Sequence, residues 1–126
     1  MSVAYVDTSA VVAIVFGERG GAALARRLAD FDELVASNLL EAELLAAFAR
    51  EDVPFEPAAV AGITWVMPDR PLGRECRAAL DAGYLRGADL WHVACALYLA
   101  PDARDLAFVT SDGRQAEVAE SLGFDV

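Results

Sequence analysis

The sequence reads as an α/β fold, a parallel sheet of four to five short strands with helices on both faces. Two observations lead there. Short apolar runs alternate along the chain with longer segments of helical periodicity, the pattern of strands joined by helical crossovers. The hydrophobic fraction is 56% of 126 residues. That fills one core, and the length is too small for two ordinary domains, so residues 1–126 are expected to form a single domain.

The elements follow in order. Val3 to Val6 is a buried strand, followed by a helix over Ser9 to Phe16 and another over Gly21 to Leu28. Leu34 to Ala36 is the second strand, leading into a helix over Leu39 to Arg50 and a shorter one over Pro57 to Ala61. Ile63 to Val66 is the third strand; Pro68 and Pro71 then mark a loop. Helices are expected over Pro71 to Ala82 and Ala88 to Ala100. Leu106 to Val109 is the fourth strand, Gly113 to Leu122 the last helix, and Phe124 to Val126 a short fifth strand. Gly17, Gly62, Gly83 and Gly123 punctuate the helix ends. Right-handed crossovers bring the strand C-termini to one edge, where open parallel sheets bind ligands. Chemistry is therefore sought just after each strand.

Composition removes many mechanisms. Acidic residues outnumber basic ones 20 to 10, for a net charge of −10, and every basic residue is arginine. Without lysine there is no P-loop lysine, Schiff base or Ser-Lys dyad. Cys76 and Cys95 stand in no metal-ligand spacing, and His92 is the sole histidine, so a Cys/His zinc site is not supported. The two cysteines read as small apolar residues in a reducing compartment. No apolar run approaches the roughly 20 residues of a membrane helix, and the N-terminus lacks the pattern of a signal peptide. A cytoplasmic location is expected.

Four acids stand out. Asp7 follows the first strand, beside Thr8 and Ser9. Asp112 follows the fourth, after Thr110 and Ser111. Glu43 sits among Leu39, Leu40, Ala46 and Ala47 on a helix, and Asp89 opens a segment with almost no other charge. A lone carboxylate on an apolar face is costly unless it is paired or binds a cation. Converging carboxylates repel one another, and Mg²⁺ or Mn²⁺, which prefer oxygen ligands, relieve that repulsion. Such a site can activate water for attack on a phosphodiester. Each acid also fits a plainer role. Asp7, Asp89 and Asp112 stand just before helices, where aspartate is a favoured N-cap. Glu41 shares the apolar neighbourhood of Glu43, though it lies about 200° around the helix. His92 reads as a packed helix residue, and Trp65, Trp91 and Tyr98 as core or interface.

Four segments resemble the PIN-domain family, and within it the VapC-type toxins of toxin–antitoxin pairs. They are Tyr5-Val-Asp-Thr-Ser-Ala-Val-Val-Ala13, Ser37-Asn-Leu-Leu-Glu-Ala-Glu43, Leu85-Arg-Gly-Ala-Asp-Leu-Trp-His-Val-Ala-Cys-Ala96 and Phe108-Val-Thr-Ser-Asp112. They occur in the family's order and span nearly the whole chain. The family's spacing selects Glu43 over Glu41. The resemblance implies a three-layer α/β/α sandwich and a Mg²⁺- or Mn²⁺-dependent endoribonuclease. Asp7, Glu43, Asp89 and Asp112 would be its catalytic, metal-holding residues, with Thr8 and Thr110 as supporting hydroxyls. It further implies a homodimer, silenced by a cognate VapB-type antitoxin. An acidic toxin suits a basic antitoxin arm. The negative net charge works against RNA, so RNA contact falls to a local arginine face, assigned here to Arg70, Arg74, Arg77 and Arg86.

Two other readings compete. A degenerate PIN domain would bind protein or RNA without catalysis. A phosphotransfer domain on a similar scaffold would need a lysine that is absent; Asp69 alone could serve as its acceptor. A dehalogenase-type phosphatase needs aspartate where Ser9 stands.

Overall fold

A computed structural model describes residues Met1 to Val126. The elements are β1 (Val3–Val6), α1 (Thr8–Val15), α2 (Gly21–Ala29), β2 (Glu33–Ser37), α3 (Leu39–Arg50), β3 (Ile63–Val66), α4 (Gly73–Ala82), α5 (Gly87–Leu99), β4 (Ala107–Val109) and α6 (Gly113–Leu122). The four strands form one parallel sheet in the order β3-β2-β1-β4.

Side-chain alternation along the central strands builds two cores, one on each face. Ala4 and Val6 of β1, Ala36 of β2, and Ala107 and Val109 of β4 join Ala10 and Val11 of α1 and Leu40, Leu44 and Phe48 of α3. Tyr5, Val35 and Phe108 point the other way, into Ala79 of α4, Val93 to Ala96 of α5, and Val118 and Ala119 of α6. The result is the expected three-layer α/β/α sandwich. Tyr5 stacks on Phe108 at 5.4 Å between centroids and an interplanar angle of 5°, which ties the two middle strands together beneath α5.

The order has a direct consequence for the site. From β1 the chain winds outward through β2 to β3 with α1, α2 and α3 on one face. It then crosses to β4, on the other side of β1, with α4, α5 and α6 on the opposite face. The winding reverses between β1 and β4, and a crevice opens at the strand C-termini there. Asp7 follows β1 and Asp112 lies three residues beyond β4, so both flank that crevice.

Three expectations change. The fifth strand reduces to a single parallel bridge between Ala107 and Asp125, closed by Phe108 N–H donating to Asp125 O at 2.8 Å and Asp125 N–H to Leu106 O at 3.3 Å. Phe124 is buried while Asp125 and Val126 are exposed, so no apolar alternation extends the pairing. The segment at Pro57–Val60 is a 3-10 turn rather than an α-helix, capped by the Glu56 carboxylate accepting from Ala58 N–H. Finally, α5 starts at Gly87 with extended Arg86 as its N-cap. Asp89 is therefore the third helical residue and not the cap.

One close approach shapes the first face. A Cβ on Gly21 would lie 2.4 Å from the Ala13 carbonyl oxygen. Only glycine lets the start of α2 lie against the back of α1.

Candidate active site

The crevice is an open cleft of about 530 Å³ lined by residues from both faces, among them Asp7, Thr8, Ser9, Glu43, Asp89 and Ser111. It brings together three of the four expected acids. Asp112 stands beside it as the N-cap of α6.

Asp7 is the anchor. It is 2% exposed, caps α1 by accepting from Ser9 N–H at 3.0 Å, and takes a further hydrogen bond on the same Oδ2 from Ser9 Oγ at 2.5 Å, with Thr110 Oγ1 3.2 Å away. Its Oδ1 accepts from Gln115 Nε2 at 3.1 Å. These donors satisfy the carboxylate oxygens at a depth where unpaired polar groups are costly. The capping role and the site role thus belong to one side chain, because the strand-to-helix turn that leaves Asp7 as a cap also places it at the crevice.

Glu43 rises from α3 on one face and meets His92 of α5 from the other, above the end of β1. Its Oε1 accepts from Thr8 Oγ1 at 2.8 Å and lies 2.7 Å from His92 Nε2. Partial burial alone would raise its pKa, but the hydrogen bonds from His92 and Thr8 outweigh burial and hold it below the ordinary value. Glu41 points to solvent, so helical geometry separates the two glutamates that hydrophobic context could not.

Asp89 is the uncompensated member. It is half-buried at the N-terminal turn of α5, and no side chain or backbone group donates to its carboxylate. Burial first, then repulsion from Asp7 and Asp112, raises its pKa; His92 offsets this only in part. Asp112 accepts from Gln115 N–H at 2.8 Å, which turns the Gln115 side chain inward to Asp7 and to the Asp89 carbonyl at 3.2 Å. Thr110 completes the frame, donating to Gln115 Oε1 at 2.7 Å.

The donor set is hard oxygen, which fits Mg²⁺ or Mn²⁺ and not a soft metal. No group of three His, Cys, Asp or Glu side chains closes into a ready cage. The arrangement fits an ion that keeps several waters, as Mg²⁺ does, and does not fit a dehydrated structural ion.

Several cleft residues escaped the sequence reading. His92 is packed, as expected, at 1% exposure, but it also bonds Glu43; its position three residues after Asp89 on one helix face was the available signal. Gln115 follows Asp112 at the capping-box spacing, yet its side chain serves Asp7 instead of the cap. Glu18 and Arg50 also line the cleft, and Arg50 is its one cationic side chain. The arginines assigned to RNA lie elsewhere. Arg70 makes a bidentate pair with Glu75 at 2.6 and 3.0 Å and stacks on Tyr98 at 5.2 Å. With Arg74 it lines a separate cavity of about 350 Å³. Arg77 and Arg86 are exposed, and none of the four lines the acidic cleft. The Trp91 indole N–H donates to Ser37 Oγ at 3.0 Å, pinning α5 over β2.

Comparison with known proteins agrees with this architecture. Residues 4–121 match the model of the PIN domain. Ribonuclease VapC35 of Mycobacterium tuberculosis, from strain CDC 1551 / Oshkosh and from strain ATCC 25618 / H37Rv, is 35% identical over 127 residues, covering 97% of this chain and 93% of the relative. No solved structure matches significantly. The domain match over most of the chain, and a VapC-type relative aligned along nearly all of it, establish that this chain belongs to the PIN-domain family, among its VapC-type members.

Proposed function

We propose that the chain is a toxin endoribonuclease that hydrolyses RNA phosphodiesters with a divalent metal. One observation carries the reading: Asp89 is a half-buried carboxylate without a donor, set among Asp7, Asp112 and Glu43. A site meant to stand alone would pair or neutralise it. Asp7, Glu43 and Asp89 would hold the ion, with Asp112 at its margin. Bound Mg²⁺ or Mn²⁺ supplies activation of water and stabilisation of the leaving oxygen.

The chain's own residues do the rest. Ser9, Thr110 and Gln115 fix Asp7 in one rotamer; Thr8 and His92 fix Glu43. Arg50 at the rim meets a backbone phosphate, and exposed Arg74, Arg77 and Arg86 extend the contact beyond the cleft, while Arg70 remains committed to Glu75. The net charge of −10 suits a small antitoxin whose basic arm fills the same cleft. The active form is a homodimer acting in the cytoplasm, where its RNA lies. The VapC-type relative's name, a ribonuclease, supports the activity.

The test is cleavage of total RNA by the purified chain in Mg²⁺ or Mn²⁺, with and without chelator, beside Asp7→Asn and Asp89→Asn. Metal-dependent cleavage lost in both variants supports the reading. Cleavage that survives both places the site elsewhere, and RNA binding without cleavage turns the chain into a non-catalytic module.

A further inference from the structure

A buried chain of hydrogen bonds runs beneath the cleft, and counting its hydrogens assigns one proton. Ser37 N–H donates to the Tyr5 hydroxyl oxygen at 3.2 Å. That hydroxyl lies 2.7 Å from His92 Nδ1, and His92 Nε2 lies 2.7 Å from Glu43 Oε1. Thr8 Oγ1 donates to the same Oε1 at 2.8 Å and lies 3.2 Å from Nε2.

The carboxylate oxygen is acceptor-only, so a bare Nε2 at 2.7 Å would oppose lone pair to lone pair. Nε2 therefore carries hydrogen, shared between Glu43 and Thr8. At the other end the Tyr5 oxygen already accepts from Ser37, and its own hydrogen has Nδ1 within reach. A phenol keeps its hydrogen at the pH of the test, so that hydrogen points to Nδ1 at 2.7 Å. Tyr5 and His92 are both essentially inaccessible to solvent, and water cannot substitute for either partner. Both donors to Glu43 meet Oε1, which leaves Oε2 with no protein partner in a side chain that is 31% exposed at the cleft.

We propose that Tyr5 and His92 are positioning residues: Tyr5 locks the imidazole with its proton on Nε2, and His92 so locked holds Glu43 by Oε1 and turns Oε2 alone toward the ion. A ring hydrogen bond that fixes the orientation of a carboxylate ligand typically affects metal affinity or activity by about 10–100-fold. The inference rests on the ribonuclease reading for what Oε2 meets, and not for the state of the ring.

The test exploits a chain with one histidine. In ¹⁵N-labelled, metal-free protein at about pH 8, above the ordinary imidazole range, long-range ¹H–¹⁵N correlation reports both ring nitrogens without overlap. One species, protonated on Nε2 and bare on Nδ1, is expected. A proton on Nδ1, a tautomer mixture or a doubly protonated ring overturns the proposal. In Tyr5→Phe Nδ1 loses its donor while Glu43 still requires hydrogen on Nε2, so the ring is held less firmly and Mn²⁺ affinity measured by calorimetry falls. His92→Phe lowers Mn²⁺ affinity by about 10–100-fold and kcat more than KM. His92→Gln, whose amide N–H can stand where Nε2–H was, recovers most of the loss. Wild-type affinity in His92→Phe refutes the positioning role. A wild type with the expected ring that neither binds Mn²⁺ nor cuts RNA overturns the ribonuclease reading instead.

Discussion

Asp89 is held in a state that folding alone does not favour, and this makes it the most informative single position. Replacing it with asparagine keeps its size and removes its charge. Activity is expected to fall by at least about 100-fold, the scale on which a ligand that stabilises developing charge acts, while the metal-free protein unfolds at higher temperature because the burial of a charge, and its repulsion by Asp7 and Asp112, are relieved. Cleavage assays and thermal melts of Asp89→Asn report the two effects separately; a lower melting temperature would contradict the account. Arg50 behaves differently. As a phosphate contact at the rim it affects binding more than chemistry, so Arg50→Gln should raise KM about tenfold with little change in kcat, and Arg50→Lys should restore part of it. Asp7 and Asp112 stood out because they follow strands and Asp89 because its segment carries almost no other charge, whereas only the family's spacing separated Glu43 from Glu41. Arg50 was not legible, because nothing local distinguishes an exposed arginine at a helix C-terminus from one that closes a cleft. His92 was half legible. Its burial followed from its neighbours, but its bond to Glu43 joins residues 49 apart in sequence and on opposite faces of the sheet.

The helices were legible as stretches and less so at their ends. The start of α5 moved because Arg86, not Asp89, adopts the extended cap geometry, and a cap without a side-chain oxygen leaves no mark in sequence. Asp112, by contrast, is a true cap, and its two roles separate by substitution. Asp112→Asn keeps an oxygen for Gln115 N–H and should leave stability within a few tenths of a kcal/mol, whereas Asp112→Ala should cost about 1 kcal/mol in urea denaturation. If both variants cleave RNA normally, Asp112 serves α6 only. The contact of α1 with α2 makes a second demand. Gly21→Ala forces a methyl to within 2.4 Å of a backbone carbonyl and should destabilise the fold by about 1–3 kcal/mol, without touching the cleft. On the opposite face, the Arg70 guanidinium, through its hydrogen bonds, holds the Glu75 carboxyl down to about 2, from an ordinary 4.5. A carboxylate depressed in the folded state contributes stability that is present above its unfolded pKa and is lost as pH falls from about 4.5 toward about 2. Glu75→Gln should therefore lower the urea midpoint near neutral pH, and its difference from wild type should shrink steadily across that window. A difference that stays constant with pH would mean that packing, not charge, is what the substitution removes.

Charge is the property that joins fold to function across the entire chain. Ten more acidic than basic side chains repel one another on a compact surface, and the cleft concentrates that repulsion where Asp7, Glu43 and Asp89 meet. Sequence reading found the imbalance and the parallel α/β order at once, since both are sums over many residues. It did not yield the reversal of winding between β1 and β4, which depends on the side of β1 that β4 takes. That reversal is what turns dispersed acids into one site. A divalent ion bound there acts only on the folded chain, because the unfolded chain scatters its ligands along 126 residues. Binding then adds stability as RT ln(1 + [M]/Kd), about 2.7 kcal/mol at a hundredfold excess over Kd. Thermal unfolding in rising Mn²⁺ should accordingly show a melting temperature that climbs with the logarithm of concentration. Monovalent salt at equal ionic strength screens surface repulsion without occupying the cleft, and should give a smaller rise that levels off. Asp7→Asn and Asp89→Asn should lose the Mn²⁺-specific part and keep the salt-dependent part. If both variants retain the full Mn²⁺ effect, the ion is neutralising the acidic surface at large, and the carboxylates at the crevice are not where it binds.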